Sequence, residues 1–193
     1  MFTKKMMSGA VASGMLLTLS AAAMAAVAPM DKQFAMKAAQ GGIFEVKSSQ
    51  IALTKTHNMR VMNVARRMVK EHSAANAELK TVAQDAKTSL PTDTDPMHKA
   101  VIAKLSSLSG AAFDKAYMAS QEKAHADTVK LFEKEIAMGS SAGFTAFASK
   151  NLPTIEDHTK MIFQVGSGLG VHAATMPVLK PASMPSDMSG KNM

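Results

Sequence analysis

NMRVMNVARRMVKEHSAANAELKTVAQDAK, from Asn58 to Lys87, decides the fold. Stepping about 100° per residue places Val61, Val64, Met68, Ala75, Leu79 and Val82 along one face, the period of an amphipathic helix and not of a strand. His72 lies four residues after Met68 and seven before Leu79. It shares that apolar face and is directed into the core.

Outward from this helix, apolar residues keep recurring at three and four, and no stretch alternates as a half-buried strand does. A first helix is expected to about Thr56 with Asp31 as N-cap, weakened by Gly41 and Gly42. Beyond Lys87, Pro91 and Pro96 bracket an acidic loop. A short crossover helix follows from about Met97 to Ser107. Ser109 is expected to cap a third long helix reaching Met138. A turn of small residues then leads to a fourth, from about Ala142 to Val165, which Pro153 should kink by removing a backbone donor. The prediction is an all-α, ferritin-like four-helix bundle over residues 31–165, with the crossover helix between its second and third long members.

The ends read differently. Lys4 and Lys5, an apolar run from Met6 to Ala23, and the small residues Ala23-Met24-Ala25 form the order of a secretory signal peptide, with cleavage expected after Ala25. Ser8, Gly9, Ser13, Gly14, Thr18 and Ser20 dilute that run against its reading as a membrane anchor. The expected product is a periplasmic protein without a transmembrane segment. The chain has no cysteine, which excludes both a disulfide framework and a lipobox anchor. Residues 166–193, rich in Gly, Ser, Pro and Met, read as a disordered tail.

The 193 residues allow one domain once the signal is removed. Two of the seven net positive charges are Lys4 and Lys5, and the remaining bases interleave with acids, as in Lys130, Glu133, Lys134 and Glu135. This is a solvated helix surface and not a nucleic-acid stripe. With no tryptophan and one tyrosine, stacking platforms are scarce as well. No Gly-x-Ser-x-Gly, cysteine nucleophile or Gly-rich phosphate loop is present, so no catalytic residue is assigned.

Polar residues on the apolar faces are more informative. His158 falls on the arc of Phe144, Phe147, Ile155 and Ile162. Gln121 and His125 fall on that of Phe113, Tyr117 and Phe132. Glu45 lines up with Phe34, Ala38 and Ala52. Each long helix therefore turns a polar group inward: Glu45, His72, His125 with Gln121 one turn earlier, and His158. A buried carboxylate pairs, protonates or binds metal. Three imidazoles and a carboxylate on facing helices suit a divalent transition metal, Fe, Mn, Zn or Cu, with Gln121 supporting a ligand from behind. The same residues also suit a hydrogen-bonded core cluster without metal. Glu122-Lys123-Ala124-His125 matches one Glu-x-x-His of di-iron bundles, but Glu122 points away from the core. Met176, Met184, Met188 and Met193 near His172 offer thioethers of the kind that suit Cu(I). His57 and His98 receive no role.

The strings AAQGGIFEVKSSQIAL (Ala38 to Leu53), MVKEHSAANAELK (Met68 to Lys80), LSGAAFDKAYMASQEKAHADTVKLFEKE (Leu108 to Glu135) and LPTIEDHTKM (Leu152 to Met161) closely resemble the bacterial domain-of-unknown-function 4142 family. That resemblance implies an exported ferritin-like bundle, often labelled an outer membrane protein, whose motif histidines and early glutamate correspond to His72, His125, His158 and Glu45. It implies no activity, cofactor or substrate. The functions left in view are a binding or stress-related envelope protein with a core metal site, a metal-dependent oxidase or peroxidase, and a structural or interaction module.

Overall fold

A computed structural model describes residues 26–171. The expected signal peptide and most of the expected tail lie outside the described residues. Five helices follow in order: α1 (Pro29–Lys55), α2 (Met59–Asp85), α3 (Pro96–Ser107), α4 (Gly110–Met138) and α5 (Ala142–Gly168). Among the described residues there is no strand, and no helix is long and apolar enough to cross a membrane.

Local chemistry sets most of the boundaries. Asn58 caps α2 as its side chain accepts from the Arg60 and Val61 amides, and Asp95 caps α3 by accepting from the His98 amide. Pro96 then takes the first turn of α3, where its missing N–H costs nothing. The α2 helix stops at Asp85, two residues short of the expected end, because Lys87 adopts a φ of 50°. One expected cap is corrected. Asp31 sits inside α1, which begins at Pro29, and its carboxylate instead accepts from the Ser140 amide at 2.9 Å and the Ser140 hydroxyl at 2.6 Å. Ser109 holds the N-cap position of α4 as expected but makes no side-chain cap bond, and Gly110 after it has a φ of 56°, which favours glycine. The α5 helix runs unbroken through Pro153 and extends three residues past Val165. It closes where the Val171 amide returns to the Gly166 carbonyl.

The long helices pack in a closed cycle, α1 on α2, α2 on α5, α5 on α4 and α4 on α1, with α3 lying against α1 and α4. Gly42 gives room to the Asn76 side chain at the α1 to α2 contact, since a Cβ there would make that side chain shift. Apolar burial falls into two clusters. One holds Phe34, Leu79, Phe132, Phe144, Phe147 and Ile155. The other holds Val61, Met68, Leu105, Phe113, Met118 and Ile162, together with Tyr117, whose ring stacks on Phe113 and whose hydroxyl lies 2.8 Å from Ser49 Oγ. Along α1, α2, α4 and α5 alike, the sequence passes from one cluster to the other through Glu45, His72, Gln121 with His125, or His158. A polar layer therefore separates two apolar halves.

Candidate metal centre

His72 of α2, His125 of α4 and His158 of α5 are buried, and each directs a ring nitrogen toward the other two. The Nε2 atoms of His72 and His125 are 3.4 Å apart, as are His125 Nε2 and His158 Nδ1. All three nitrogens lie within 4.8 Å of one another.

The outward nitrogens fix the tautomers of two rings. His125 Nδ1 is 3.0 Å from the Gln121 carbonyl oxygen, one turn earlier on α4. His158 Nε2 is 2.6 Å from Glu71 Oε2, and Glu71 is held in turn by Arg67 Nε at 3.1 and 3.2 Å. A carbonyl and a carboxylate only accept, so the imidazole protons lie on these outward nitrogens. The inward nitrogens of His125 and His158 consequently present lone pairs. This is how outer hydrogen bonds orient histidines around a metal.

Charge reinforces the geometry. Burial, with the neighbouring imidazoles, pulls His72 well below its ordinary range, and burial with His158 lowers His125 to about 3. His158 is lowered by burial too, against an opposing pull from Glu71. Burial would raise Glu71, but its bonds to His158 and Arg67 outweigh that and keep it ionised. All three imidazoles are thus neutral at pH 7, the form that ligates.

Of the residues expected from sequence, the structure brings the three histidines together and leaves Glu45 to one side. Its Oε1 is 3.6 Å from His125 Nδ1, the outward nitrogen, and so Glu45 stands behind one imidazole and not among the converging atoms. Neither of its oxygens has a hydrogen-bond partner. Burial pushes this carboxyl up to about 8, against a smaller opposing pull from the Gln121 side chain. Gln121 meets His125 through its backbone carbonyl, while its side-chain amide donates to Ser48 Oγ at 3.2 Å.

Glu71 was not anticipated. Its signal was its place beside His72 and four residues after Arg67, on the flank of α2 that meets α5. His98 also has a structural place, with Nδ1 at 2.6 Å from Asp95 Oδ2 and its ring stacked on Phe44.

The sequence matches the domain of unknown function DUF4142 over residues 16–165, a span containing all of these side chains. The chain belongs to the DUF4142 family. No curated protein matches it. Two crystal structures of DUF305 proteins are similar to this DUF4142 chain. A DUF305 fragment from Deinococcus radiodurans has a TM-score of 0.65 at 14% identity, covering 75% of this chain and 97% of its own. A DUF305 protein from Streptomyces coelicolor, described as a candidate secreted protein, has a TM-score of 0.63 at 16% identity, covering 76% and 96%. At such identities the likeness is one of helical fold.

Proposed function

We propose that this DUF4142 chain is an exported, ferritin-like helical-bundle protein that binds a divalent transition metal through His72, His125 and His158. The observation that carries the reading is the convergence of three neutral imidazoles from three different helices, two of them with their outward N–H groups engaged. Facing helices with inward histidines are how bundles build metal sites. Imidazole donors suit Zn, Cu, Fe and Ni alike. In this reading Glu45 is a buried neighbour of the centre, and Gln121 and Glu71 orient its ligands.

Support for the ferritin-like class comes from the closed cycle of four long helices. Support for export comes from the basic, then apolar, then small order of residues 1–25 and from the likeness to a candidate secreted protein. A role in binding or in envelope stress follows from the combination of an exported chain and a buried metal.

The test is reconstitution of the purified protein with Fe(II), Mn(II), Zn(II) or Cu(II), followed by removal of excess and elemental analysis. One metal per chain is expected, lost in the triple His72→Ala, His125→Ala, His158→Ala variant. Absence of stoichiometric metal, or equal uptake by that variant, would overturn the reading. A metal-free packing cluster predicts instead that His72→Leu is as stable as the parent or more so.

A further inference from the structure

Of the three imidazoles, His72 borders a small cavity beside the cluster. This cavity of about 40 Å³ lies between α1, α2, α4 and α5, and His72, Glu45 and Glu71 form part of its wall. Ala75, Leu79, Phe132 and Ile155 supply an apolar wall. Asn76, Asn151 and Thr154, at the rim, are partly exposed, so the space communicates with the surface. A single water needs roughly 10–15 Å³ of such space. There is room for a ligand of two or three heavy atoms and no more.

Two features make this more than a packing gap. Glu45, 3% exposed, is one of the residues lining the cavity, its carboxyl oxygens have no hydrogen-bond partner, and buried polar groups are left unpaired only at a cost. The protein also supplies three converging nitrogens, which leaves a four-coordinate ion one position for an outside ligand.

We propose that the metal centre takes a small exogenous ligand of two or three heavy atoms, a diatomic or a linear anion with a donor lone pair, in this cavity with Glu45 as its hydrogen-bonding partner. The proposal rests on the reading of the three histidines as a metal centre. The apolar wall limits the size of the ligand, and the Glu45 carboxyl anchors it by its free end.

Co(II) is the probe, because its visible spectrum reports coordination. The Co(II)-loaded full-length protein is titrated with azide and, separately, with imidazole, after cobalt content has been measured. Saturable change with azide and none with imidazole is expected. Ala75→Leu, which fills the cavity, should retain cobalt and weaken azide by about tenfold or more, the usual effect of a closed subsite. Glu45→Leu should weaken azide similarly, with Glu45→Gln restoring part of the loss. Bound cobalt with a spectrum indifferent to azide, or equal response to azide and imidazole in the parent protein, would overturn the cavity proposal and leave the metal centre standing. Failure to bind cobalt would overturn both. The comparison of azide with imidazole uses the parent protein alone, so it holds even if a variant fails to fold.

Discussion

Glu71 and Glu45 are carboxylates beside the same cluster, yet the fold holds them in opposite charge states. Glu71 is ionised by Arg67 and His158, whereas at Glu45 burial outweighs the pull of Gln121 and the carboxyl keeps its proton. Removing the Glu71 charge should loosen His158: Glu71→Gln is expected to weaken metal binding by about 10- to 100-fold, measured by competition with a chromophoric chelator. Glu45 makes a prediction about pH. The folded carboxyl holds its proton up to about 8, but the unfolded chain releases it near 4.5. The native state therefore carries the extra proton between those values, and this residue's contribution to stability falls as pH rises across the window. His125 behaves oppositely: lowered to about 3 from 6.5, it costs stability as pH falls below 6.5. In chelator-treated protein, the melting temperature of Glu45→Gln relative to the parent should climb from pH 5 to pH 8 and then level. A constant difference would contradict this assignment. The three inward histidines were legible from helical period alone. The displacement of Glu45 toward the outward nitrogen of His125 was not, since period gives a face but not the rotamer or the depth at which neighbouring helices meet.

Helix ends show the same division between local and distant causes. Asn58 and Pro96 could be read as terminal signals because their partners lie within three residues. Asp31 looked equally like a cap, but its partner Ser140 is 109 positions away. This contact ties the first turn of α1 to the turn between α4 and α5, and two hydrogen bonds to a buried carboxylate are at stake. Asp31→Ala should destabilise the protein by about 2–3 kcal/mol, seen as a lower urea midpoint with unchanged slope. Gly41 and Gly42 were expected to weaken α1. The helix runs unbroken through both, and Gly42 gives room to Asn76, a packing role that only the neighbouring helix reveals.

For the whole molecule, the arrangement of two apolar clusters with a polar layer between them means that a metal bound as proposed would act as a tertiary clamp, since each proposed ligand belongs to a different helix. Binding should stabilise by mass action, about 2.7 kcal/mol at a free metal concentration of 100 Kd. Calorimetry should record a rise in melting temperature for the parent protein and none for His125→Ala. The all-helical class and the order of the long helices followed from periodicity, whereas the pairing of helices across the cycle did not. Tyr117 adds something of practical use. It is the chain's one tyrosine, there is no tryptophan, and it lies eight residues from His125, about 12 Å along α4. All tyrosine fluorescence therefore originates from a single buried ring in one apolar half. Energy transfer from that ring to a coloured ion would report occupancy of the centre as dimmed light, in real time and without a label.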